Sequence, residues 1–313
     1  FRRRGRGLRL GARRLRLSGL PTSERSQQGK TKGERADHGL LLGHPGALRG
    51  SEWMRVGYSP STEVSDVPKV HLPPSLERFC DGRREVEAGG STLRAVLLDL
   101  ERQYPGLAEQ LFDESRALRR YIAVLIGEHD ARELGGLEAP VGEDDEVTLL
   151  PAIAGGAAAS PRQERGRVRS ECGLWLQPVI EHCERAWPSE ACGLVFGKSE
   201  HERRSVPMRN ALAPQRALNG FEMDPAKLLA ELRRAEQGGE RLVALYHSHP
   251  HGSSAFSATD KQSAVGPDGE PLWPGVAYLV LGMKEGRVTG LQCVEWDGRE
   301  LVTTLARRLG RGR

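Results

Sequence analysis

The chain has 313 residues, 38% hydrophobic and 28% charged, which is the composition of a soluble globular protein long enough for two ordinary domains. No apolar run approaches the ~18–20 residues of a membrane helix, and five cysteines without a C-x-x-C pair argue against a disulfide framework or a structural zinc ribbon, so a reducing cytoplasm is expected. The formal charge of +4 hides an asymmetry: residues 1–53 hold 13 Lys+Arg against 4 Asp+Glu, leaving 33 basic and 38 acidic residues from 54 onward, so the folded part has no basic surplus with which to grip nucleic acid.

The start, "FRRRGRGLRLGARRLRLSG", has no apolar signal core, and residues 1–63 read as a disordered basic leader or as upstream sequence translated ahead of Met54, the first methionine. From residue 64 the texture changes. "PKVHLP" and "REVEA" alternate as strands do and are expected to form a hairpin around "CDGR". In "GGSTLRAVLLDLERQYPG" the residues Leu93, Val96, Leu97 and Leu100 fall at i, i+3, i+4 and i+7, which predicts an amphipathic helix capped by Ser91 or Thr92 and stopped at Pro105-Gly106. "YIAVLIG" (121–127) and "DEVTLLPAI" (145–153) read as strands, giving β-β-α-β-β up to Gly155-Gly156.

Residues 157–170 carry four arginines, one proline and no apolar period, and mark a linker. A second unit, 171–313, opens with the helical "CGLWLQPVIEHCERAW", where Pro178 fits only in the first turn. The strand "ACGLVFG", the helix "DPAKLLAELRRAEQ" with Pro225 at its first position, the strand "RLVALYHSH" and three closing strands follow. Helices and strands are mixed, so the fold class is α+β overall, with a mixed α/β second unit.

The densest chemistry lies in "HSHPHGSSAFSATD", residues 247–260. On an extended chain His247 and His249 project to one side, and Asp260, on what "SATDKQSA" suggests is the first turn of a helix, could return a carboxylate to the same ion. Two imidazoles and one carboxylate leave a tetrahedral zinc its fourth position for water, the arrangement of a catalytic site. Spacing alone also permits a chance His-x-His and a Ser257–Asp260 pair that does nothing but cap a helix.

The whole string has the form H-S-H-P-x6-S-x2-D and resembles the JAMM (MPN-plus) metalloprotease family, as does the upstream "WPSEACGLVFG". That resemblance implies Zn2+ held by His247, His249 and Asp260, Glu190 as general base and then acid, and Ser257 as donor to the oxyanion. His251 has no counterpart and reads as an exposed loop residue; Cys192, beside the expected base, reads as a buried thiol rather than a nucleophile.

Residues 64–156 resemble the ubiquitin-like MoaD/ThiS sulfur carriers in element order, in "GSTLRAVLLDLERQYPGL" and in the closing "DEVTLLPAIAGG". The resemblance implies an N-terminal β-grasp fold whose last glycine is adenylated by an activating enzyme and then receives sulfur from a donor. Here 157 residues follow Gly156, so the carrier has no free carboxylate. JAMM enzymes cut at the terminal glycine of ubiquitin-like proteins, so the two resemblances together imply an amide hydrolase acting at Gly155-Gly156. It would act in cis or in trans, releasing a mature carrier or removing an amino acid attached to one. The alternative is a non-catalytic scaffold of an MPN-type fold and a ubiquitin-like docking module; such members lack the ligands that this chain retains.

Overall fold

The computed structural model describes residues 67–156, 175–199 and 202–309; the leader expected over 1–63 and the linker over 157–170 lie outside them. Strands β1 (Lys69–His71) and β2 (Glu85–Glu87) pair antiparallel, with Val70 opposite Val86. Their connection is longer than the turn expected at "CDGR". A short helix, α1 (Pro74–Glu77), intervenes, because Pro73 and Pro74 cannot donate to a ladder whereas a proline suits the first turn of a helix.

Helix α2 (Leu93–Gln103) starts where expected: the Thr92 side chain accepts from the Ala95 N–H at 3.3 Å. Its Leu93, Val96, Leu97 and Leu100 are buried. A 3₁₀ turn at Pro105–Leu107 leads into α3 (Ala108–Leu111), and then come β3 (Ile122–Ile126), β4 (His129–Asp130) and β5 (Glu146–Pro151). The two-residue β4 was too short to show a period. The sheet order is β2-β1-β5-β3-β4, with β1 and β5 parallel and the other pairs antiparallel, which is a β-grasp.

Ile122, Val124, Ile126, Val147 and Leu149 pack with α2 on one face of this sheet. Their alternates Leu125 and Leu150 are buried on the other. Both faces are covered, and that is why β3 and β5 read as continuous apolar runs rather than alternating ones. Beyond β5 the chain leaves the sheet and forms β6 (Ala154–Gly155).

The second part begins with α4 (Leu176–Ala186), whose Pro178 lies in the first turn as its missing N–H requires. There follow β7 (Cys192–Gly197), β8 (Arg203–Met208), α5 (Pro214–Ala217), β9 (Phe221–Glu222), α6 (Pro225–Gln237), β10 (Arg241–His249), α7 (Ala258–Ala264), β11 (Ala277–Lys284), β12 (Arg287–Trp296) and β13 (Leu301–Arg308). Six of the strands make one sheet, ordered β13-β12-β11-β10-β7-β8. Leu176, Val179 and Cys183 of α4 pack on one face with Tyr246, Leu279 and Leu281, while Leu228 and Ala235 of α6 pack on the other with Leu194, Phe196 and Leu245.

Within this sheet β10 and β11 are parallel. A parallel pair cannot be joined by a tight hairpin, so the chain must cross over, and the crossover carries the histidine loop and α7. The loop sits close against β11: a Cβ on Gly282 would lie 2.5 Å from the Ser254 nitrogen and 2.6 Å from the Gly252 oxygen. The β-grasp sheet and the six-stranded sheet belong to one compact unit, Thr62–Arg313. No helix among the described residues is long and apolar enough to cross a membrane.

Candidate active site

His247 and His249 are the last alternating residues of β10 and share a side, as period two requires. Asp260 returns from the first turn of α7. All three are buried, at 4% exposure each. The two Nε2 atoms lie 3.1 Å apart, and each lies 3.4 Å from one oxygen of Asp260. Taking one ligand atom from each residue, the three donors lie within 4.8 Å of one another, so the group could hold a metal ion.

The surroundings hold both rings in place. His249 Nδ1 donates to the Ser253 carbonyl at 2.9 Å; a carbonyl has no proton to return, so in the neutral ring Nε2 carries the lone pair. The Phe221 ring stacks on His247, with centroids 4.8 Å apart. Burial pushes His247 below its ordinary pKa. Burial would lower His249 too, but Asp260 and Glu190 beside it raise it. Burial acts upward on Asp260, and the two imidazoles more than offset it, holding the carboxyl well below the usual range.

Ser257 and Asp260 are both a helix cap and part of the site. Ser257 Oγ accepts from the Asp260 N–H at 3.0 Å, while Asp260 Oδ2 accepts from the Ser257 N–H at 2.8 Å, a complete capping box. The cap that spacing alone permits is therefore formed. With one lone pair occupied by Asp260, the Ser257 hydroxyl points its hydrogen outward, and it donates to the carbonyl oxygen of Gly156 at 2.7 Å.

The diglycine lies in the cleft. Ala154–Gly155 pairs antiparallel with Phe221–Glu222, the Met223 N–H donates to the Ile153 carbonyl at 2.9 Å, and the Gly156 N–H reaches Asp260 Oδ1 at 3.3 Å. The channel has no room for side chains at these positions. A Cβ on Gly155 would stand 2.7 Å from Asp260 Oδ1 and 2.8 Å from Phe221 Cε1, and one on Gly156 would stand 2.6 Å from the Asn219 carbonyl oxygen. This is β-strand addition to a two-residue edge, in which backbone bonds align the tail and steric walls select glycine.

Glu190 is fully buried just ahead of β7, its N–H donating to the Ala217 carbonyl at 2.7 Å. Sequence spacing gave no sign of Asn210, yet it organises this corner: its Nδ2 donates to the carbonyls of Glu190 at 3.0 Å and Gly220 at 2.9 Å, and its Oδ1 accepts from the Leu212 and Glu222 N–H groups. It ties the Glu190 segment to the strand on which the tail lies. Phe221 was likewise missed, since a lone aromatic in a two-residue strand carries no pattern. His251 is exposed, as expected. Cys192 is buried with its Sγ toward the Met208 carbonyl at 3.8 Å, and burial pushes its pKa far up, which suits a packed thiol.

Residues 75–156 match the ThiS family, and residues 175–293 match the prokaryotic homologs of the JAB domain. The sulfur carrier protein CysO of Mycobacterium tuberculosis is 40% identical over 89 residues, 28% of this chain and 96% of that protein. Desampylase of Haloferax volcanii is 34% identical over 115 residues, 36% of this chain and 73% of that protein. The chain belongs to both families. It is a ThiS-type carrier fused to a JAB domain, and membership places the JAB part among hydrolases of the JAMM type. The CysO-cysteine peptidase of M. tuberculosis is a further relative of the JAB part, 34% identical over 95 residues, 30% of this chain and 63% of that protein.

Proposed function

We propose that the JAB part is a zinc-dependent amide hydrolase whose substrate is the diglycine tail of the ThiS part, cut between Gly156 and Ala157. The observation that carries this reading is the hydrogen bond from Ser257 to the Gly156 carbonyl, with the Gly156 N–H 3.3 Å from Oδ1 of Asp260, the carboxylate that His247 and His249 share. Bound zinc would supply Lewis acidity and a water ionised near neutral pH.

The chain's own residues supply the rest. The backbone pairing of β6 with β9 fixes the tail in an extended form, and the glycine-only channel sets which carbonyl stands at Ser257. As negative charge develops on the Gly156 oxygen, the Ser257 hydroxyl stabilises it. Glu190 takes a proton from the attacking water and gives it to the amine nitrogen of Ala157 as the C–N bond breaks. The products are a carrier ending in the Gly156 carboxylate, which an adenylating enzyme and a sulfur donor could then use, and a JAB part beginning at Ala157. The acyl side of the site makes no demand on the amine, so an amino acid attached to the tail of a related carrier is a substrate of the same chemistry; the CysO-cysteine peptidase and desampylase among its relatives favour this extension.

The test is intact-mass analysis of wild type and Glu190→Gln after incubation with zinc, with a parallel wild-type sample in chelator. The expected result is a fragment ending at Gly156 in the wild type alone, the variant being slower by about 10²–10⁴-fold. If no sample is cut, and an isolated carrier with an amide at its tail is also left intact, the non-catalytic scaffold takes the place of this reading.

A further inference from the structure

One peptide group of the JAB part, the one joining Glu190 to Ala191, is held at both ends by side chains from different elements. Its N–H donates to Ser248 Oγ at 2.9 Å, and Ser248 stands on β10 between the two histidines. The Ser248 N–H donates in turn to the Ala191 carbonyl at 2.9 Å, so the side toward the histidines is tied twice. At the other end the Glu190 carbonyl accepts from Asn210 Nδ2 at 3.0 Å.

Asn210 makes every hydrogen bond that an amide side chain can make. Nδ2 also donates to the Gly220 carbonyl at 2.9 Å, and Oδ1 accepts from the Leu212 and Glu222 N–H groups at 3.1 and 3.3 Å. The bond to Leu212, two residues on, is an Asx turn, and an aspartate would make it equally well. The two bonds from the nitrogen are different: they cross 20 and 10 residues of sequence, and only an amide can donate them. They join the backbone of Glu190 to Gly220, which adjoins β9, the strand on which the tail pairs. Gly220 lies against the tail itself, since a Cβ there would stand 2.9 Å from the Gly155 oxygen.

Resting on the hydrolase reading above, we infer that Asn210 is a positioning residue that sets the Glu190 carboxylate from the strand on which the tail lies. Its four bonds go to neither the tail nor the metal ligands, so it acts through Glu190. A shift of the Glu190 backbone carries the carboxylate with it, and misplacement by about 1 Å costs about 10²-fold in rate. The same carboxylate takes the proton from water and delivers it to the leaving amine, so its place counts in both transfers. Ser248 fixes Glu190 to the strand of the histidines and Asn210 fixes it to the strand of the substrate, and the base is thereby placed between the two.

The experiment is a double-variant cycle on the full chain in zinc, reading the rate at which the fragment ending at Gly156 forms. Asn210→Asp keeps the shape and the Asx turn but sets an oxygen against the Glu190 and Gly220 carbonyls, and it is expected to slow the cut about 10- to 100-fold. Glu190→Gln keeps the shape of the base and removes its proton transfer. In that background Asn210→Asp is expected to cost at least about fivefold less than in wild type, because no base is left to place. A difference between backgrounds of less than about fivefold overturns the inference, since a weakened fold or a slipped tail slows both alike. Zinc content is expected to stay at the wild-type value, and a folded Asn210→Asp chain that loses zinc overturns the inference as well, because Asn210 would then act on the ligands. If Asn210→Asp does not fold, Asn210→Ala is taken through the same cycle by the same criteria. A wild type that cuts nothing, or a Glu190→Gln chain as fast as wild type, removes the hydrolase reading, and the inference falls with it.

Discussion

Replacing Gly156 by alanine tests the tail channel directly. The added Cβ would stand 2.6 Å from the Asn219 carbonyl oxygen, where ordinary contact is 3.4–4 Å, so about 0.8 Å must be found. The obstacle is backbone, and it is held: the Asn219 N–H donates to the Arg216 carbonyl at 3.2 Å, and Asn210 grips the Gly220 carbonyl at 2.9 Å. Gly156 is not in the left-handed region, so alanine brings no backbone strain of its own and the effect is one of contact alone. Overpacking of this kind costs about 1–3 kcal/mol, which slows the cut by about 5- to 150-fold. If the tail backs away far enough to break the 2.7 Å bond from Ser257, the loss approaches about 10³-fold. The assay is the rate at which the fragment ending at residue 156 forms, followed by intact mass in zinc, with a thermal melt as control. Gly156 lies outside the carrier core, so any loss of stability should stay within that same range of about 1–3 kcal/mol. Cleavage of Gly156→Ala at the wild-type rate would refute the reasoning, because it would mean the reactive tail does not lie in this channel.

Purified chain is expected to bind about one zinc, and His247→Ala or Asp260→Ala to lose most of it; elemental analysis showing full retention in both variants would remove these residues from the metal site. Ser257→Ala should slow cleavage by about 10²–10³-fold while costing about 0.5–2 kcal/mol of stability as a lost cap, so a melting shift without a rate effect would leave Ser257 as a helix cap only. Iodoacetamide at pH 8 should leave cleavage intact, because burial pushes Cys183 up to about 12 and Cys192 higher still; activity lost in step with alkylation of Cys192 would point to a thiol nucleophile instead.

The amino-acid sequence by itself determined whatever depends on near neighbours along the chain. The 3.6-residue period of Leu93, Val96, Leu97 and Leu100 is enough for α2, and period two is enough to put His247 and His249 on one side of β10. Asp260, three residues beyond the cap Ser257, had to lie in the first turn of α7. The string around them was specific enough to bring the JAMM resemblance, and through it Glu190.

Only the tertiary structure decided what those groups face. The Gly156 carbonyl meets Ser257 across 101 residues of sequence, and the Glu190 backbone is fastened to Asn210 across 20. The strand that receives the tail was invisible for a physical reason: pairing of β6 with β9 is made by backbone N–H and C=O groups, which every residue carries, so no side-chain pattern announces it. The second apolar face of α6, where Leu229 packs on Leu125 and Leu150, was hidden for a related one. A helix pressed between two sheets shows extra leucines, but which leucine serves which sheet is set by how the sheets are placed around it, and that placement comes from contacts distant in sequence.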